Sequence, residues 1–157
     1  MSKSTRATLA LAAAKIEFAV LTYDYNPDAD RIGLKAAEAI GASPSIVLKT
    51  LMAEVDGKAV CVVVPSDREM SMKKLAVAFG GKAANMMKPA QAEKLTGFVV
   101  GGISPFGQKK PVPTVFEIEA MAHDRVYMNG GQRGLQVHLA PADAVKAANA
   151  IVAAVVA

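Results

Sequence analysis

The sequence predicts a single α+β domain with a mixed, largely antiparallel sheet. Two apolar runs, 46–55 and 58–64, flank Asp56-Gly57, the strongest short-range signal for a β-hairpin. Helix-forming stretches interleave with short strands, without the regular strand–helix–strand rhythm of a doubly wound nucleotide fold. The length of 157 residues, 52% of them apolar, suits one domain over 1–157, with a core that needs no cross-links.

The elements follow in order. An Ala- and Leu-rich helix is expected over 4–15. A strand follows over 16–23, where Phe18, Val20 and Thr22 alternate with Ala19, Leu21 and Tyr23. Asn26-Pro27-Asp28 reads as a loop, and Asp30 as the cap of a helix over 31–40 that stops at Gly41. Ser43-Pro44-Ser45 turns the chain into the hairpin. Ser71 is placed to cap a helix through Phe79, halted by Gly80-Gly81. Residues 82–86 form a short strand, and Pro89 opens a helix to Leu95. Phe98-Val99-Val100 reads as a strand running into Gly101-Gly102. Further strands are expected over 114–118, 125–128 and 134–139, with a turn of helix over 119–122 and a tight turn at Asn129-Gly130-Gly131. Pro141 opens the last helix, whose Val145, Ala148, Val152 and Val155 recur at helical spacing.

Composition narrows the function. The net charge of +4 fits an anionic partner such as RNA without demanding one. Aromatic residues are 5% with no Trp, and no platform for stacking bases stands out. Cys61 is the only cysteine, which excludes intrachain disulfides and cysteine zinc clusters. It lies in the apolar run Val60-Cys61-Val62-Val63-Val64, so a buried, inert thiol is expected rather than a nucleophile. The run Leu9 to Ala14 after Lys3 and Arg6 mimics a signal peptide but is short and reads as helix. The apolar stretch 150–157 is far too short to span a bilayer. A cytoplasmic protein is the expectation. No Gly-x-Gly-x-x-Gly or Walker lysine loop occurs, His123 and His138 stand alone, and no Ser-His-Asp set assembles. Neither a metal nor a cofactor is expected.

The chemistry must then rest on lysine, backbone amides and hydroxyls. Gly101-Gly102-Ile103-Ser104-Pro105-Phe106-Gly107-Gln108-Lys109-Lys110 offers bare amides to a ligand oxygen, followed by cations suited to a polyanion. Lys49 interrupts an apolar strand, where Val47, Lys49 and Leu51 face one way and Leu48, Thr50 and Met52 the other. A lysine among apolar neighbours is costly unless its charge meets a partner, although an edge lysine that snorkels to water has the same pattern. Arg133, between glycines, is suited to a phosphate or carboxylate, or is a solvated turn residue. Lys109 and Lys110 can touch an RNA backbone or simply be solvated. The Tyr23 hydroxyl can reach a substrate, or its ring can only pack.

Taken together, Lys49-Thr50-Leu51, then Val100 to Lys110, then Gly130-Gly131-Gln132-Arg133-Gly134-Leu135 resemble the YbaK/EbsC family over nearly the whole chain. Within it the chain resembles the bacterial Cys-tRNA(Pro) deacylases, relatives of the editing domain of prolyl-tRNA synthetase. The resemblance implies a barrel-like mixed sheet surrounded by helices. It implies hydrolysis of cysteine mischarged on tRNA(Pro), with aminoacyl-tRNA and prolyl-tRNA synthetase as partners and neither DNA nor membrane among them. A second sieve is needed because cysteine and proline differ too little in size for one binding step. The family pattern puts the catalytic lysine at Lys49 and the glycine loop at Gly101 and Gly102; the backbone near Gly101, Gly102 and Ile103 would hold the aminoacyl group, with Ser104 and Pro105 also expected among the substrate-binding residues. Tyr23 and Thr50 match its pocket positions, and Arg133 and Gln136 are expected among the substrate-binding residues. Close relatives carry an aspartate where this chain has Gln136, a side chain that cannot supply negative charge. The enzyme nucleophile missing from the sequence is explained if the substrate's own thiol attacks its ester. Removal of alanine or serine from tRNA, or a non-catalytic module docking on the synthetase or tRNA, are the alternatives.

Overall fold

The computed structural model describes residues 4–24 and 32–157. Along the chain lie α1 (Arg6–Ala13), β1 (Ala19–Thr22), α2 (Ile32–Ile40), β2 (Leu48–Val55), β3 (Lys58–Pro65), α3 (Met72–Ala78) and β4 (Ala84–Met86). They are followed by α4 (Pro89–Thr96), β5 (Thr114–Glu117), β6 (Val126–Asn129), β7 (Leu135–Leu139), α5 (Pro141–Ala147) and β8 (Ile151–Ala153). Short 3-10 turns occupy Pro44–Ile46 and Ile118–Ala122. The loop expected at Asn26-Pro27-Asp28 and the cap expected at Asp30 lie outside the described residues.

Local chemistry explains most boundaries. The Thr5 hydroxyl caps α1 by accepting from the Thr8 amide, and Ser71 caps α3 by accepting from the Lys74 amide. Pro89 and Pro141 stand at the first turns of α4 and α5, where a missing N–H costs nothing. Strands β2 and β3 pair antiparallel from Leu48 opposite Pro65 to Val55 opposite Lys58. Asp56 and Gly57 between them take positive φ values of 51° and 82°, the geometry of a type I′ hairpin turn.

One sheet has the order β4-β2-β3-β5-β8 and the other the order β1-β7-β6. The β3/β5 and β5/β8 pairs are parallel and the remaining pairs antiparallel. The domain is therefore α+β with mixed sheets. The two sheets touch through a parallel bridge between Val47 and Tyr127, and the described strands do not close into one continuous ladder. Leu48, Met52, Phe106, Phe116, Met128 and Val137 belong to the larger core. Val55, Val62, Val64, Leu75 and Val155 form a second cluster.

Two elements differ from the sequence expectation. Phe98-Val99-Val100 is not a strand but part of a turn after α4, with Val99 and Val100 exposed. Its amides bond locally: Val100 N donates to a Glu93 carboxylate oxygen (2.8 Å) and Gly102 N to Val99 O (2.8 Å). A run of β-formers is no strand without a sheet edge to join. The last helix stops at Ala147 instead of reaching Val155. Asn149 takes φ 51°, which ends the helix, and β-branched Ile151 and Val152 pair with Val115 and Phe116.

Candidate active site

Strand β2, the turn after α4 and the β1-β7-β6 sheet enclose a cavity of about 780 Å³. That volume is in the range of small-ligand sites. Lys49 and Thr50 reach it from β2, Gly101 and Ile103 from the glycine turn, Gln136 from β7 and Tyr23 from just beyond β1. Six of the residues singled out in the sequence thus converge from segments distant in the chain.

Lys49 is partly buried and sits opposite Val64 in the hairpin. Among the described residues no hydrogen bond or ion pair holds its ammonium group. Gly101 takes φ 89°, a conformation that suits glycine. Gly102 is buried, and a Cβ there would meet Arg133 N at 3.0 Å and the Gln132 backbone at 3.1 Å. The second glycine thus lets the turn pack directly on the β6–β7 connection.

Gly102, Ser104, Pro105 and Arg133 are not among the cavity-lining residues. Ser104 is fully buried, its hydroxyl accepting from Phe106 N (3.1 Å) and its carbonyl from Gln108 Nε2 (3.0 Å). Pro105 is buried beside it. Arg133 is exposed, and its Nε donates to Val100 O (2.9 Å). These residues shape the glycine turn from behind.

Asn129, read in the sequence only as part of a turn, also lines the cavity. Its Nδ2 donates to Gly101 O (2.9 Å) and its Oδ1 accepts from Gly131 N (2.7 Å). One side chain therefore ties both glycine turns together. The Asn-Gly-Gly signature announced a turn, but not its contact with a second loop.

Among the described residues two buried side-chain polar atoms have no hydrogen-bond partner, Thr50 Oγ1 and Gln136 Oε1, and both residues line this cavity. Buried polar atoms in folded proteins are almost always paired, so an orphan in a cavity wall is a place where a water or a ligand group can complete the bonding. Gln136 is only 4% exposed.

Cys61 lies in the core of β3, fully buried. Burial pushes its thiol up to about 12, against smaller opposing contributions from Gln108 and Thr114. A thiol so rarely ionised is no nucleophile. The native protein is expected to resist alkylation by iodoacetamide and to label fully in denaturant; rapid native labelling would contradict this burial. Among the described residues no group of three or more His, Cys, Asp or Glu could hold a metal ion, and no helix is long and apolar enough to cross a membrane.

Residues 26–147 match the model of the aminoacyl-tRNA editing domain family. The chain is 35% identical, over 76% of its length and 74% of the relative's, to an Enterococcus faecalis protein named as a Cys-tRNA(Pro)/Cys-tRNA(Cys) deacylase, EbsC. It is 26% identical to an Escherichia coli protein named as a multifunctional Ser/Thr-tRNA deacylase, across 84% of this chain and 80% of that one. A crystal structure described as that of a trans-editing enzyme for prolyl tRNA synthetase superposes with a TM-score of 0.83 at 22% identity. It covers 100% of this chain and 98% of its own, and shares the fold.

Proposed function

Because the chain belongs to the aminoacyl-tRNA editing domain family, we propose that it is an aminoacyl-tRNA deacylase that clears cysteine mischarged on tRNA(Pro). The observation that carries this reading is the shared cavity: Lys49, Gly101 and the two residues with unpartnered polar atoms, Thr50 and Gln136, all line one space. An aminoacyl ester is already activated, so the protein's task is to orient it and to stabilise charge on the carbonyl oxygen.

In this account the Lys49 ammonium steadies the developing oxyanion and the terminal ribose or phosphate. Backbone groups at Gly101 and Ile103 hold the aminoacyl group, with Gly102, Ser104 and Pro105 fixing the turn. Tyr23, Thr50 and Gln136 receive the substrate's polar groups, and Arg133 steadies the loop beside the RNA. The cysteine sulfur attacks its own ester carbonyl. The carbon–oxygen bond to the ribose breaks, the ribose oxygen takes up the thiol proton, and a cyclic thioester forms. Water then opens the ring and cysteine leaves. Prolyl-tRNA synthetase would present the tRNA in a ternary complex, and a role in translation would put the protein in the cytoplasm.

Deacylation of tRNA(Pro) charged with cysteine, alanine or proline tests the reading. Cysteine is expected to be released more than about 200-fold faster than alanine or proline, which have no thiol, beyond what a size difference of one small group supplies. Equal rates for cysteine and alanine would defeat it.

A second reading has its own support. A serine or threonine hydroxyl would satisfy the orphan Thr50 and Gln136 atoms better than a thiol, a weak donor. One relative is named for those two amino acids. The fold and Lys49 would serve the same purpose, with water as the attacking group.

A further inference from the structure

The outer face of the β1-β7-β6 sheet carries an aromatic stack that the cavity chemistry leaves unused. Tyr127 and His138 are register partners across β6 and β7, and their rings stack with centroids 4.0 Å apart and planes 8° from parallel. Their neighbours Val126, Met128, Val137 and Leu139 are fully buried, so the two rings stand on the opposite face of the strands. Both rings remain partly exposed.

The next register pair along the same face is Asn129 and Gln136, both lining the cavity. Two residues of strand separate the pairs by about 7 Å. A base, its ribose and the ester oxygen of an aminoacyl nucleotide span a comparable distance. Across the other edge of β7 the register partner of His138 is Ala19, small and exposed. A bulkier residue at 19 would cover the ring; alanine leaves a shelf the size of a flat heterocycle. Leu21 and then Tyr23 follow on that face of β1, and Tyr23 lines the cavity. Arg125, whose guanidinium lies 3.8 Å from Glu17, sits beside His138 and adds a cation for a phosphate. Burial, and secondarily the Arg125 charge, hold the imidazole below its usual value, so the ring stacks as a neutral heterocycle at pH 7.

We propose that the His138 ring, backed by Tyr127 and floored by Ala19, seats the base of the substrate's terminal nucleotide and so sets the ester over Lys49. This rests on the reading of the cavity as an aminoacyl-tRNA site. Stacking on aromatic rings needs no particular sequence, which suits recognition of an end that all tRNAs share.

Binding of the uncharged trinucleotide CCA to the purified full chain, by titration calorimetry, tests the seat without any reaction. His138→Ala is expected to weaken binding about tenfold, the scale of one lost base stack. His138→Phe keeps a flat ring and is expected to stay within about twofold of the parent. Removing the terminal base of the trinucleotide should cost the parent protein the same factor and cost His138→Ala nothing further. No measurable binding by the parent, equal binding by His138→Ala, or an equal base-removal penalty in parent and variant would each overturn the seat. A protein that binds the trinucleotide in this pattern yet hydrolyses no aminoacyl ester would instead overturn the assigned reaction and leave the seat standing.

Discussion

Lys49→Ala is expected to lower the single-turnover rate of Cys-tRNA(Pro) hydrolysis by about 100-fold or more while the protein stays folded. Removing one preorganised donor to an oxyanion costs on that scale. The fold should survive because no hydrogen bond or ion pair among the described residues engages the ammonium group. Its loss strands no partner, and alanine relieves the cost of holding a charge in a half-buried strand. Lys49→Arg is expected to restore little, since a planar fork does not replace a compact point charge on a flexible stem. A rate within about threefold of the parent, with an unchanged melting temperature, would remove Lys49 from the chemistry.

Glu117→Ala is expected to destabilise the protein by about 3 kcal/mol or more. The carboxylate is 1% exposed and holds the end of the chain in place. Its Oε1 accepts from Val155 N (2.8 Å) and Val156 N (3.1 Å), and its Oε2 from Glu119 N (2.8 Å). Alanine would orphan these amides, and each buried, unpaired donor costs its full desolvation. For a chain of this size the melting temperature should fall by roughly 6–12 °C. Glu117→Gln, which keeps one acceptor oxygen, should fall between the two. Thermal melts read this directly; a Glu117→Ala protein that melts with the parent would mean that the segment after β8 is held by its packing alone.

Elements set by local chemistry were legible before any coordinates. The Asp56-Gly57 hairpin, the Ser71 cap and the prolines opening α4 and α5 each depend on residues next to one another, and each stands where the sequence put it. The misread elements depend on partners far away. Phe98-Val99-Val100 has strand residues but no edge to join, and β8 has helical spacing but a parallel neighbour in β5. The same division runs through the cavity. Lys49, Gly101 and Gln136 were visible through their motifs, and the structure brings them to one space. Asn129 and the Tyr127–His138 stack were not, because only the β6–β7 register makes those side chains neighbours. A composition with 5% aromatics gives no hint that a tyrosine and a histidine stack beside the site.

The most direct test of the central claim is a swap of one atom in the substrate. Single-turnover hydrolysis should be compared for the same tRNA(Pro) charged with cysteine and with serine, on the unmodified protein. If the misloaded thiol attacks its own ester, the cysteine form should be cleared about 100-fold faster, because a hydroxyl is far less nucleophilic at neutral pH. Serine released as fast as cysteine would contradict self-attack and hand the cavity to water and the hydroxyl-reading alternative.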